Sequence, residues 1–293
     1  MQTDISVDTF RLLLPTLCDR ETSQDAGNWS ERNPLWGHCA VASLVAQNLF
    51  GGQLMRASLA GVPGFEHVRS HYWNLFENGQ VVDFTRAQFG GAPLGCLQSE
   101  VRERSYVLSF PETNERYKLL AWRLAKAINA GNPLFNDEHY RLCFDAALES
   151  PCQKMKFGCV LVQDGNVVCV DKNRFIEPLA SLCTPSCIRL SITSRTESML
   201  GACGHAEEFV MWDAIHRGIP LNECDLYVAG MYPNGLPWIK KEAADHTCLR
   251  CSVQMHNANI RTVFVPYCDR WVGLSSQQAI AGAKKYATQE KKV

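Results

Sequence analysis

The chain has 293 residues, 29 basic and 30 acidic side chains and a formal net charge of −1. That length suits two domains of ordinary size, and 46% apolar with 20% charged residues excludes the disordered and fibrous classes. Near-neutral charge gives no overall pull toward a polyanion, so a small-molecule substrate is the expectation and nucleic acid the disfavoured one.

The opening MQTDISVDTF lacks the basic and apolar regions of a targeting leader, and no stretch reaches the 18 or more apolar residues of a membrane span. A cytoplasmic location and no membrane partner are expected. The 14 cysteines are scattered through strand-like and helix-like segments, which favours free thiols or metal ligands over a disulfide framework.

In chain order, a helix is predicted over Thr9 to Cys18 and another over Cys39 to Phe50. Residues 51–59 read as a strand and 70–86 as a hairpin turning at Asn78-Gly79. Cys39 precedes an apolar helix, whose dipole favours a thiolate. His71 and Asp83 fall on the two strands of the hairpin, so nucleophile, base and orienter follow one another as Cys39, His71 and Asp83. Asn33, six residues before the cysteine, is a candidate oxyanion donor.

Trp29, Asn33, Pro34, Gly37, Cys39 and Ala40, then His71 to Asn74, then Asp83, Thr85 and Arg86, give this part a resemblance to the YunG-like family, over about residues 10 to 128. The family label implies little about function. The three-residue pattern itself suggests a papain- or transglutaminase-like thiol hydrolase or transferase on a small α+β domain. The alternative is a binding or regulatory domain in which Cys39 is a buried helix residue.

Residues 112–135 have helical periodicity through Leu119, Leu120, Trp122, Leu124 and Ala125 and stop at Gly131 and Pro133. A boundary is placed there, giving domains 1–130 and 131–293. The second domain opens with a helix, Asp137 to Leu148, and a hairpin over 157–173 turning at Asp164-Gly165. A Ser/Thr/Cys-rich loop follows, then a helix starting near His205, a strand over 225–232 and a polar excursion. Residues 247–266 read as helix then strand, and a last helix runs from Gln277 to Tyr286. The order ββαβαβ plus a terminal helix describes a three-layer α/β/α domain. Gln289 to Val293 read as a fraying charged tail.

A catalytic zinc takes three protein ligands and leaves one position for water. His205, Cys248 and Cys251 supply three, the cysteines at i, i+3 on one face of a helix start and the histidine at another helix start. Glu207, two residues past the histidine, projects in a different direction and suits a proton shuttle. The alternative is a closed structural zinc knuckle, which would want a fourth protein ligand.

His205-Ala206-Glu207 with Cys248-Leu249-Arg250-Cys251 resembles the cytidine deaminase-like superfamily, whose signature pairs H-x-E with P-C-x-x-C. The resemblance spans roughly residues 135 to 290. It implies a mixed five-stranded sheet, Zn2+ as cofactor, and hydrolytic loss of ammonia from a nucleobase, nucleoside or nucleotide, with cytosine-type rings favoured by superfamily habit. It also implies Asn173 and Ala206 as substrate contacts and a homo-oligomer. Thr247 stands where the family has proline and is expected as helix N-cap.

The long gap between Glu207 and Cys248 is read as a loop over residues 232–246, in which Trp238 stacks on a base and Lys240 or Lys241 meets a phosphate; a solvated basic loop is the alternative. Glu208 and His216 are read as solvated or packed helix residues. Cys183, Cys187 and Cys203 form a second cysteine cluster, read as buried free thiols with a second zinc as the alternative, and Cys159 and Cys169 as core. Two further classes stay open: the thiol hydrolase as the main activity, and a nucleic-acid editing or binding module.

Overall fold

Cys39 to Ala46 are all buried, as an all-apolar helix face requires. The computed structural model describes residues 5–65, 67–92, 97–192, 203–239 and 247–289, and the chain gathers into two units, Met1–Ile128 and Asn129–Val293. In the first, α1 (Val7–Leu17) starts at Ser6, whose hydroxyl accepts from the Thr9 N–H. The buried helix is α2 (Cys39–Phe50), ended by Gly51 at positive φ. Next come β1 (Gln53–Ser58), β2 (Ser70–Leu75) and β3 (Val81–Val82). Then β4 (Ser99–Arg102), α3 (Arg104–Leu108) and α4 (Pro111–Ile128) complete the unit.

The sheet order is β3-β2-β1-β4, every pairing antiparallel, and α2 packs against β2 and α4. The hairpin expected at Asn78-Gly79 forms, with Gly79 at φ 80° and the Asn78 side chain accepting from Gln80 N–H. Its second strand is only two residues long. Sequence periodicity did not give β4 or α3, because Ser99–Arg102 is almost entirely exposed and carries no apolar alternation.

The second unit begins with α5 (Glu138–Leu148), capped by Asp137, whose carboxylate accepts from Tyr140 N–H at 2.8 Å. The hairpin β5 (Lys156–Gln163) and β6 (Asn166–Lys172) turns through Asp164 at φ 50° and Gly165 at φ 78°, the two positive values a type I′ turn needs. A short pair, β7 (Arg174–Phe175) and β8 (Cys203–Gly204), leads to α6 (Ala206–His216). After β9 (Cys224–Met231) and β10 (Pro237–Trp238) come α7 (Leu249–Asn257), β11 (Thr262–Tyr267), β12 (Arg270–Leu274) and α8 (Ser276–Gln289).

The sheet path is β12-β11-β9-β5-β6, with β9 and β11 parallel and the other neighbours antiparallel. This is the mixed sheet of a three-layer fold. Alternation along β5 divides its faces: Cys159 and Leu161 share a core with Ala206 and Val210 of α6, Met255 of α7 and Ala279 of α8. Gly158 faces α5. A Cβ at that glycine would stand 1.9 Å from the Cys143 carbonyl oxygen and 2.9 Å from Ala147 N, so only glycine lets helix and strand approach this closely.

One expectation is corrected. The five-strand path gains a sixth member, because the segment read as a loop over 232–246 begins as a hairpin: Tyr232 N–H bonds the Leu236 carbonyl, and Trp238 pairs with Gly230. Pro233-Asn234-Gly235 carries the same turn chemistry as the other hairpins, with Gly235 at φ 81°. The β10 position is open because β11 pairs β9 only at Asp225–Tyr227. β12 completes the five expected strands, although it is hidden in the sequence because it is short and half-exposed. Lys240, Lys241 and the tail beyond Gln289 lie outside the described residues.

Candidate functional site

The N-termini of α6 and α7 meet. His205 is the N-cap of α6 and Cys248 that of α7, so the expectation that Thr247 caps α7 is corrected. Thr247 is buried and hydrogen-bonded through its hydroxyl to Ser252. His205 Nδ1 lies 3.3 Å from Cys248 Sγ and 3.2 Å from Cys251 Sγ, and the three donor atoms fall within 4.8 Å of one another. Tetrahedral zinc with ordinary Zn–N and Zn–S bonds sets N···S at about 3.5 Å. One imidazole nitrogen and two sulfurs at these separations fit zinc, with both helix dipoles favouring thiolates.

The two thiols titrate as a pair. The hydrogen bond with Cys251, then the contact with His205, pull Cys248 down to about 4 against burial. Cys251, bonded to the Cys248 sulfur and buried, is pushed well up. Burial lowers the His205 imidazole, but Cys248 outweighs it and the group stands at about 9.

Glu207 occupies the first turn of α6 and is buried; burial first, then the Cys248 charge, push its carboxyl up to about 7. Among the described residues no salt bridge reaches it. Glu208 differs. Fully buried, it accepts from His205 N–H at 2.8 Å, from Arg250 Nε at 2.7 Å and from Gln254 Nε2 at 2.6 Å. One carboxylate therefore ties the zinc-facing end of α6 to α7 on either side of Cys251. This role differs from the solvated or packed helix residue expected of Glu208. Its position three residues after the N-cap is capping-box spacing, the signal that could have identified it. His216 is exposed at the end of α6.

Asn173 lies just past β6 and is buried. Its Oδ1 accepts from Ser150 Oγ at 2.7 Å and Phe157 N–H at 2.8 Å, and its Nδ2 donates to the Met155 carbonyl at 2.9 Å. The side chain thus sets the course of the chain from Ser150 into β5. Ala206, the first residue of α6, is fully buried. Trp238 is half-buried and meets Phe157 edge to face, centroids 5.9 Å apart, beside Gly230, where a Cβ would lie 2.7 Å from the Phe157 ring. Cys183 lies 4.0 Å from Cys187 and 3.6 Å from Cys203 through sulfur; Cys183 and Cys187 are buried, and Gln153 holds their loop through Cys183 and Pro185 carbonyls and Cys187 N–H. Cys159 and Cys169 are core.

In the first unit Cys39 is the first residue of α2, and the His38 side chain makes no capping bond. His71 Nε2 lies 2.6 Å from Asp83 Oδ2, while Thr85 N–H and hydroxyl bond Asp83 Oδ1 at 3.0 and 3.3 Å. Asp83 falls one residue past β3, and His71 points from β2 toward it. The imidazole packs edge-on against Phe89, 4.8 Å between centroids, and near Trp73. Asn33 Nδ2 donates to the Gln88 carbonyl at 2.8 Å.

Comparison with known families agrees with the division seen in the structure. Residues 7–129 match the model described as YunG protein, and residues 135–266 match the cytidine and deoxycytidylate deaminase zinc-binding region. No curated protein matches the chain. Zinc is the cofactor of the second unit: the matched region is a zinc-binding one, and the His/Cys/Cys group is positioned for the metal. Among the described residues no helix is long and apolar enough to cross a membrane.

Proposed function

We propose, from the deaminase-type zinc-binding region in residues 135–266, that the second unit is a hydrolytic deaminase releasing ammonia from a nucleobase, nucleoside or nucleotide, cytosine-type rings being favoured. The observation that carries this is the convergence of His205 Nδ1, Cys248 Sγ and Cys251 Sγ beside the buried Glu207. A metal with three protein ligands retains a position for water, whose proton it makes easier to remove.

Glu207 is the proposed proton carrier. It follows His205 by two residues, so its carboxylate approaches the metal-binding group from α6 without entering the ligand set, and burial shields it from bulk water. It takes a proton from the attacking water and delivers it to the amino group that leaves as ammonia. Glu208 keeps both helix starts in register through His205 N–H, Arg250 and Gln254. For the substrate, Asn173 and the backbone of Ala206 at the start of α6 are the proposed contacts, Asn173 having one amide N–H beyond its bond to Met155. The half-exposed Trp238 ring is the proposed stacking surface. The substrate is a small molecule, and the thirteen unbridged cysteines among the described residues support a reducing, cytoplasmic setting.

The test is a screen for ammonia release across bases, nucleosides and nucleotides with zinc quantified in parallel. Glu207→Ala is expected to keep its zinc and lose turnover. A zinc-loaded Glu207→Ala protein that still releases ammonia refutes the assignment.

A further inference from the structure

A buried imidazole in a structural role ordinarily bonds through both ring nitrogens. His71 bonds through one. It is 1% exposed, its Nε2 is bound by Asp83, and its Nδ1 is buried with no regular hydrogen-bond partner. Cys39 opens α2, which packs against the strand β2 that carries His71, and with Nε2 taken by Asp83 the remaining ring nitrogen is Nδ1. The Cys39 sulfur also lies 3.9 Å from the Ser70 carbonyl, one residue before His71. Thr85, Phe89 and Trp73 hold the other two members in place: Thr85 bonds the second oxygen of Asp83, and the two rings fix the plane of the imidazole.

We propose that Cys39, His71 and Asp83 form a second catalytic centre, a thiol-dependent acyl-transfer site acting on a small carboxamide. A second orphan group supports it. Gln88 is buried, its Oε1 accepts from Gly37 N–H at 3.3 Å, and its Nε2 has no partner. That places an unsatisfied amide donor against the loop two residues before Cys39, where α2 presents the uncapped N–H groups of its first turn. A side-chain amide and a helix-start N–H make a two-donor site for a developing oxyanion. Gln88 takes the role the sequence suggested for Asn33, whose amide is turned to the Gln88 carbonyl.

In the first half-reaction His71 Nδ1 holds the proton given up by Cys39, and the thiolate attacks the carbonyl carbon. The C–S bond forms, the C–N bond breaks, and the proton passes from Nδ1 to the departing amine. In the second, His71 takes a proton from water, the water oxygen bonds the acyl carbon, and the C–S bond breaks to return the thiol and release a carboxylic acid. Asp83 is a positioning residue: it fixes the imidazole and stabilises its charged form. Cys39 is 5% exposed, which favours a small carboxamide over a folded polypeptide as substrate.

The test uses the zinc-loaded full chain with p-nitrophenyl acetate and iodoacetamide as small probes, modified cysteines being located by peptide mass spectrometry. Cys268 is exposed and serves as the internal reference. An activated thiolate is expected to react about tenfold or more faster than the reference at about pH 6.5. The acetyl group on Cys39 should be hydroxylamine-labile and absent from Cys39→Ala and His71→Ala. Asp83→Asn should shift the pH profile of Cys39 acetylation to a degree that loss of packing alone does not produce. If His71→Ala fails to fold, the wild-type comparison decides alone: Cys268 modified with Cys39 untouched from about pH 6 to about pH 9 overturns the proposal.

Discussion

Glu208→Ala should loosen the metal centre without touching a ligand. The carboxylate is fully buried and accepts three hydrogen bonds at 2.6–2.8 Å, two of them from Arg250 and Gln254 on α7 and one from the His205 backbone. Hydrogen bonds to charged groups contribute about 1.5–3 kcal/mol each, but they are not additive. Arg250 is 31% exposed and can rehydrate once freed, so the net loss falls near the lower end of the range for breaking a buried pair, about 3 kcal/mol.

For a unit of this size that lowers the melting temperature by about 6–12 °C. Because the His205 start of α6 and the cysteine start of α7 lose their common anchor, zinc affinity should fall about 10–100-fold, as for other groups that orient metal ligands. Glu208→Gln keeps one acceptor oxygen and turns an NH2 toward the donors served by the other, so it should lie between wild type and Glu208→Ala. The assay pairs thermal unfolding by circular dichroism with zinc competition against a chelating dye. A Glu208→Ala protein with unchanged melting and unchanged zinc affinity refutes the clamp.

Gly158→Ala should destabilise the second unit by more than the usual overpacking range of about 1–3 kcal/mol, because the clash is with α5 backbone at 1.9 Å and not with a movable side chain; denaturant titration checks it. Asn173→Ala removes partners from Phe157 N–H and the Met155 carbonyl, while Ser150 keeps the Asn173 carbonyl, and leaving buried groups unpaired costs about 1–3 kcal/mol apiece, so the loss should appear in unfolding even without substrate. His71 has its own pH signature. Burial lowers its pKa, but Asp83 and Cys39 outweigh it and raise the group to about 9. Since the folded value exceeds the unfolded one, this stabilisation is fully present below about pH 6.5 and is lost as pH rises through about 9. Urea midpoints of the first unit should decline across that window, and Asp83→Asn should flatten the decline; a wild-type midpoint independent of pH there contradicts the pairing.

The sequence by itself determined the features that depend on neighbours along the chain. Periodicity gave α2 and α5, positive-φ turn residues gave both predicted hairpins, and the His205/Glu207 and Cys248/Cys251 spacings named the metal chemistry, because ligand type and helix-start position are local properties. Pro233-Asn234-Gly235 carries the same local signal, but the polar residues around it mask the short strand that follows. Only the tertiary structure decided what pairs across distance. Glu208 becomes a clamp only once Arg250 and Gln254, more than forty residues on, are packed beside it. Gln88 meets the Cys39 loop across about fifty residues, and His71 turns Nε2 to Asp83 with its ring packed against Phe89 and near Trp73. Side-chain direction is set by the packing of elements against one another, which no one-dimensional period encodes.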